Sequence, residues 1–160
     1  MLVYHPAFDL FHACFRITKL LKLSPNGEFE VEHLRLIDYF IVFPSEISKI
    51  QVPIAYKLDK KKFLSNKYNK VDNSRLVFER IKPYQDAALN CLLAYQAIDE
   101  ELFSKNIIKL KVNSESHRLI DEIDKILFDD NLQNAITTVL LEMPFEGPLG
   151  LKKRSPVFHE

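Results

Sequence analysis

"EFEVEHLRLIDYFIVFP", Glu28 to Pro44, decides how the rest of the chain is read. Its acids gather at the start, where a helix dipole favours negative charge, and Leu34, Ile37, Phe40 and Ile41 recur at helical spacing until Pro44 ends the run. The last six residues before that proline, "DYFIVF", have strand propensity of their own. Continuity of the helical pattern decides for one helix over the whole stretch, and with it for a mainly α fold.

Upstream, "HPAFDLFHACFRITKLLKL" sets Phe8, Phe11, Phe15 and Ala13, Ile17, Leu20 and Leu21 at helical spacing before the turn "SPNG" at Ser24 to Gly27. Downstream the pattern weakens from Ser45 to Asn73. There Pro53 and the lysine-rich "YKLDKKKFLSNKYNK" predict a loop or short helices with a solvated basic surface. Helical spacing returns in "SRLVFERIK" from Ser74. Pro83 then reads as the first residue of a fresh helix, "PYQDAALNCLLAYQAI", with Ala88, Leu89, Leu92 and Leu93 on its buried face. In "IIKLKV", Ile108, Leu110 and Val112 alternate with Lys109 and Lys111, the pattern of a half-buried strand. Beyond it Ser114 or Ser116 would cap a helix with Leu119, Ile120, Ile123 and Leu127 on one face, and Asp129 to Asn131 would cap "LQNAITTVLLEM". Helix, turn and short strand in that order are compatible with a winged helix. The expected fold is therefore mainly α with a small β element, a winged-helix-related single domain (α+β) over residues 1–144, followed by an extended C-terminal tail, 145–160.

Bulk composition narrows the function classes. An apolar fraction of 47% and a charged fraction of 28% over 160 residues suit one folded domain with a real core rather than a disordered chain. Lysine plus arginine, 22, equals aspartate plus glutamate, 22, so no global field favours DNA, RNA or anionic lipid, and any such contact needs a local patch. The N-terminus lacks a basic region followed by a long apolar run, and no apolar stretch is long enough to span a bilayer. Cys14 and Cys91 each lie in an apolar helical segment, where a free thiol acts as a small hydrophobe, and this pattern suits a reducing cytoplasm.

No catalytic set assembles from the residues. His5, Asp9 and His12 have the spacing of neighbouring helical turns, but Pro6 places His5 before the helix and further ligands are wanting, so a local cap by Asp9 is the stronger reading than a metal. Cys14 and His12 are too close in sequence to face each other on a helix. The acid pairs Glu100 and Glu101, and Asp129 and Asp130, sit in polar turns as helix ends do. No serine has the context of a triad nucleophile. The expectation is a protein without cofactor or metal, and not an enzyme.

Two basic stretches stand out. Lys57, Lys60, Lys61, Lys62, Lys67 and Lys70, interleaved with Tyr56 and Tyr68, are either a solvated loop, the commoner case, or a weak DNA contact with tyrosines stacking on bases. "GPLGLKKRS", Gly147 to Ser155, lacks the spacing of a phosphate-binding loop. It is either a frayed end or a strap, with Leu149 and Leu151 inserting in a groove while Lys152, Lys153 and Arg154 face acidic surface or phosphate.

"MLVYHPAFDLFHACFRITKLL", "HLRLIDYFIVFP", "ALNCLLAYQAID" running into "IIKLKV", and the closing "GLKKRS" together resemble, in the same order, the middle component of three-component ABC ATPase systems. After Arg154 the chain departs from that family's pattern, with Ser155 and Pro156 in place of a further glycine. The resemblance implies a small cytoplasmic, non-enzymatic adaptor that binds an ABC or SMC-like ATPase and a further component, in prokaryotic conflict systems against phage or other mobile DNA. On that reading partner contacts fall on Tyr4, His5, Phe8 and Phe11 and on the tail residues Gly147, Gly150, Leu151, Lys152, Lys153 and Arg154. A homodimer through the aromatic N-terminal helix is compatible with the same edge. The rival is a winged-helix DNA-binding transcriptional regulator reading bases with the Tyr84 to Gln96 segment, where Asn90 and Gln96 are the plausible base readers.

Overall fold

Glu28, Phe29 and Glu30 point out, in and out, and this period of two is what the chain follows at the head of the deciding stretch. In the computed structural model, which describes residues 5–111, 121–122 and 128–158, they form strand β1 (Glu28–Glu30) instead of a first helical turn. Helix α2 (Val31–Val42) begins only after them and ends before Pro44, so "DYFIVF" is helical up to Val42. Leu34, Leu36, Ile37 and Phe40 are wholly buried on it.

Ahead of β1 lie a 3-10 turn (Pro6–Phe8) and helix α1 (Leu10–Leu23). After α2 come 3-10 turns at Pro44–Lys49 and Lys60–Phe63, helix α3 (Ser74–Ala94), the short α4 (Glu100–Ser104) and strand β2 (Ile107–Lys109). The described chain closes with α5 (Asp130–Ala135), a π turn (Ile136–Leu140) and a last helical turn, α6 (Leu151–Arg154). The protein is mainly helical, and among the described residues it has one two-stranded antiparallel sheet in the register Glu28 to Lys109, Phe29 to Ile108 and Glu30 to Ile107. The strand expected in "IIKLKV" thus pairs with a segment preceding α2. Val112, the following residues that would form a wing, and the face from Leu119 to Leu127 lie outside the described residues. No helix among the described residues is long and apolar enough to cross a membrane.

The packing groups the residues into two units, 1–38 with 81–127 and 39–80 with 128–160. In the first, Ala13, Ile17, Leu20 and Leu21 of α1, Leu34 and Ile37 of α2, and Ala88, Leu89 and Leu92 of α3 are buried, each large side chain contributing about 1.5–3 kcal/mol. Phe29 and Ile108 are the buried pair of the sheet. Among these apolar groups sits a wholly buried carboxylate, Asp38. Arg16 of α1 donates Nε to its Oδ1 at 2.7 Å and Nη2 to its Oδ2 at 3.2 Å, and Gln85 of α3 adds Nε2 at 2.9 Å. Arg16 Nη1 also donates to the carbonyl of Pro6 at 2.9 Å, which fixes the N-terminal turn to the same ion pair.

Pro83 does not start a new helix: it lies inside the single helix α3. It has no N–H to donate to the carbonyl four residues back and its ring crowds that carbonyl, yet buried Ile81, Gln85, Ala88 and Leu89 around it hold the helical course. Pro83→Ala, at an exposed position, is expected to raise the unfolding free energy by about 1–3 kcal/mol in urea titration, because alanine supplies the missing N–H and removes the ring from the preceding turn. The helix stops at Ala94, short of the expected end, in a left-handed cap. Gln96 has φ 56°, its N–H meets the carbonyl of Leu93 at 3.0 Å, and the next N–H, of Ala97, reaches that of Leu92 at 2.8 Å.

In the second unit Tyr39 is the hub of an aromatic cluster, with ring centroids 5.2 Å from Phe43, 5.5 Å from Phe40 and 5.7 Å from Phe78. Its hydroxyl donates to Glu46 Oε2 at 2.9 Å. Glu46 is wholly buried, takes a second hydrogen bond from Ser74 Oγ, and has Lys49 Nζ 2.5 Å from Oε1, a contact of opposite charges. Burial first, and the Glu46 charge second, hold the Tyr39 hydroxyl protonated well above its usual range. Asp129 caps α5 as its place in the sequence predicts, accepting from Asn131 N at 3.0 Å and Leu132 N at 3.3 Å. The hydroxyls of Thr137 and Thr138 then bond back to the carbonyls of Gln133 and Asn134, where the ladder loosens into the π turn.

Candidate functional site

The second unit carries the segment that most resembles a built interaction site, the strap "GPLGLKKRS". Gly147 turns the chain with φ 92°, which a side chain rarely adopts, and the turn closes as Gly150 N donates to Gly147 O at 3.0 Å. Gly150 is needed for closeness, since a Cβ there would lie 2.5 Å from the carbonyl carbon and oxygen of Glu146. Leu151 N then reaches Pro144 O at 2.7 Å and Lys152 N reaches Phe145 O at 3.1 Å. The side chains of Leu151, Ser155 and Val157 are buried completely. Residues 151–154 are therefore helical where composition predicts extended chain. Hydrogen bonds and burial supplied by the fold, rather than propensity, shape so short a turn.

Arg154 clamps this strap. Its carbonyl accepts from Gln51 N at 2.9 Å, Nη1 donates to Gln51 O at 2.9 Å, and Nε donates to Pro148 O at 3.2 Å. Gln51, Pro148, Lys153 and Arg154 line a cleft of about 230 Å³. Leu149, next in sequence to Pro148, is 50% exposed. Two cations of the strap differ in state. Lys152 is paired with Glu146 at 2.9 Å and lies 5.7 Å from the Phe145 ring, whereas Arg154 bonds to two carbonyls and to no carboxylate among the described residues. Leu151 serves the core and cannot contact a partner from where it is.

In the first unit, Asp9 caps α1, accepting from His12 N and from His12 Nδ1, both at 2.9 Å, so the carboxylate between the two histidines has a local role. His5 Nδ1 accepts from Ala7 N at 3.1 Å, and partial burial, then the Arg16 charge, lower its pKa. Among the described residues no group of three metal-ligating side chains converges. Phe11 is 72% and Phe8 42% exposed, and the Phe8 ring meets Tyr84 edge-on at 5.4 Å. Phe8 on the anchored N-terminal turn and Phe11 in the first turn of α1 are exposed aromatics outside the core face of α1. Tyr4 lies outside the described residues. Cys14 and Cys91 are free, half-buried thiols. Burial first and neighbouring Cys91 second push the Cys14 thiol up to about 11, the opposite of an activated nucleophile.

Lys57, Lys60, Lys61, Lys62, Lys67 and Lys70 are all exposed. Asp59 caps their 3-10 turn, Lys70 pairs with Asp72 at 3.4 Å, and Lys67 Nζ lies 4.7 Å from the centroid of the 85% exposed Tyr68 ring. Tyr56 is half-buried and donates its hydroxyl to Glu142 O at 3.2 Å, so of the two tyrosines only Tyr68 offers a face to a base. Glu100 and Glu101 occupy the first turn of α4 behind the cap Asp99, as helix-end acids do. Sequence reasoning missed Gln51 and Pro148 as cleft residues. No local signal marks Gln51, which lies 103 positions from its partner Arg154.

No curated protein and no solved structure matches the chain. The family model described as ABC-three component (ABC-3C) system Middle Component 5 matches residues 2–159, nearly the full length, and the chain belongs to that family.

Proposed function

We propose that the chain is a non-enzymatic adaptor that binds the ABC or SMC-like ATPase of its three-component system together with a further component, in prokaryotic defence against phage or other mobile DNA. Family membership supports an accessory role beside partners. The observation that carries the reading to particular residues is the strap. It is pinned by buried Leu151 and Val157 and by Arg154, and it holds Leu149, Lys153 and the free edge of the Arg154 guanidinium toward solvent. Interfaces are enriched in arginine and aromatic anchors, which also brings in the exposed Phe8 and Phe11 edge of the first unit. Co-expression of the tagged chain with the other two components should yield a complex that survives affinity and size-exclusion steps. A chain that always elutes alone contradicts the adaptor, and a doubled mass without the ATPase assigns the aromatic edge to a homodimer instead.

The exposed lysines from Lys57 to Lys70 favour a second, weaker contact with DNA phosphates. Gln96 sits beyond the end of α3 in its cap, which leaves Asn90 as the base-reading candidate on that helix and favours a sequence-independent contact over a regulator's readout. A mobility-shift assay at two salt concentrations should show binding that rising salt removes without sequence preference. Salt-resistant binding to one sequence would support the regulator.

A further inference from the structure

We infer that the segment from Lys57 to Lys70 binds single-stranded DNA, with phosphates on its unpaired lysines and one base stacked on the open face of Tyr68. This inference rests on the DNA contact proposed above and specifies the strand state that the segment recognises. The chain as a whole has no net charge, yet residues 57–70 hold six lysines against one acid, Asp59. Asp59 is committed to its cap, accepting from Lys61 N at 3.2 Å. Lys70 is paired with Asp72 and Lys67 lies over the Tyr68 ring. Lys57, Lys60, Lys61 and Lys62 are exposed and have no ion pair among the described residues.

Both halves of the segment rest on one support. The 3-10 turn Lys60–Phe63 packs against the turn Pro44–Lys49 and buries Phe63. From that same supporting turn Ser45 Oγ donates to Asn69 O at 3.0 Å and Lys49 Nζ to Val71 O at 2.9 Å. Between buried Phe63 and Val71, residues 64–70 are all exposed. Asn66 and Asn69 tie their tip: Asn66 Oδ1 accepts from Tyr68 N at 2.8 Å and from Asn69 N at 3.1 Å, and Asn69 Oδ1 accepts from Asn66 N at 2.6 Å. The backbone of Tyr68 is thereby fixed while its ring stays 85% exposed. Lys67 Nζ, 4.7 Å from the centroid, occupies one face of the ring and leaves the other to solvent. A ring presented in this way loses little freedom when a base stacks on it.

A single strand answers both features at once. Its bases are free to stack on the ring, whereas those of a duplex are already stacked on one another and offer Tyr68 no face. Base–aromatic stacking tolerates any sequence, which suits a segment with lysines and no arginine. An anionic bilayer fits less well. Ser65 and Asn66 stand exposed between Leu64 and Tyr68, so inserting those two side chains into lipid would strip water from the polar pair.

The test is fluorescence anisotropy of a labelled oligo-dT strand, and of a mixed-sequence duplex of equal length, titrated with the full chain. Expected is binding of the strand about fivefold or more tighter than of the duplex at the same salt. With four lysines on phosphates, the logarithm of strand affinity should fall against that of salt with a slope of about −3. Tyr68→Ala should weaken strand binding about fivefold or more and duplex binding by less than about twofold, while Tyr68→Phe, which keeps the ring, should match the parent. Lys60→Glu combined with Lys61→Glu should weaken both forms. These positions are exposed, and unchanged melting shows that the variants remain folded. The strand-against-duplex comparison in the parent needs no variant at all. Equal or tighter binding of the duplex, or indifference of strand binding to Tyr68→Ala, would overturn the inference and leave a plain phosphate contact. Competition by poly-glutamate as effective as by unlabelled strand, or phosphatidylserine vesicles captured through Tyr68 in place of the strand, would overturn it in favour of another anion. If neither oligonucleotide binds, the DNA contact falls with it, and the adaptor reading, tested by co-elution, stands apart.

Discussion

Asp38→Ala is expected to lower the unfolding free energy by about 3–5 kcal/mol, the cost of leaving one member of a buried ion pair without the other. Arg16, almost fully buried, would lose both carboxylate bonds, and Gln85 would lose the acceptor of its Nε2. The loss is not a measure of what the ion pair contributes over an apolar core. The double change Arg16→Met with Asp38→Leu should recover much of the stability, because well-packed apolar groups often replace a buried pair without penalty. What the double variant should not recover is the anchored N-terminal turn, since Arg16 Nη1 would no longer hold the Pro6 carbonyl. Urea titration separates the global effect. Amide exchange at Ala7 and Phe8, faster in the double variant than in the parent, would read the local one. A single Asp38→Ala change costing under about 1 kcal/mol would contradict the described burial of that network.

Gly150→Ala is the second large effect. A methyl group placed 2.5 Å from the Glu146 carbonyl carbon and 2.6 Å from the Phe145 carbonyl oxygen meets backbone, which has no rotamer to yield. Relief requires the strap to move and to withdraw Leu151 from its buried place. We expect a loss of about 3 kcal/mol, at the upper end of overpacking, with new protease sensitivity between residues 146 and 156. Gly147→Ala makes the informative contrast. Nothing lies within 4 Å of its added carbon, so only the strain of φ 92° remains, about 1–2 kcal/mol. Equal effects at the two glycines would mean that Gly150 does not approach the backbone as described. The burial of Leu151, Ser155 and Val157 also makes deletion from Gly147 onward a lesion of the second unit, so point changes at Lys153 are the cleaner probe of binding.

Helices were legible wherever an apolar stripe ran long enough. Leu34, Ile37 and Phe40, and Ala88, Leu89 and Leu92, are buried as their spacing predicts, and Ile108 is the inward residue of β2. Three residues were too few for the alternation of Glu28, Phe29 and Glu30 to compete with the helical pattern beside it, and pairing with β2 decided their course. The break at Pro83 was misread because buried neighbours on one continuous helix can outweigh the local penalty of a proline. The charges at Arg16 and Asp38 stood visibly inside apolar runs, but their pairing across 22 positions carries no spacing signal. The strap shows the same limit. Its cations and glycines could be seen in the chain, whereas the closeness of Gly150 to Glu146 and the clamp between Arg154 and Gln51 exist only once the second unit has folded.

The adaptor reading is tested most directly by isothermal titration of the purified ABC ATPase of the same three-component system with the full chain, in parent and Lys153→Glu forms. The account predicts saturable binding by the parent, weakened about tenfold or more by the charge reversal while the variant keeps the parent's melting behaviour. No heat of binding by the parent would contradict the adaptor reading, and equal affinity in both forms would contradict the placing of the contact on the strap.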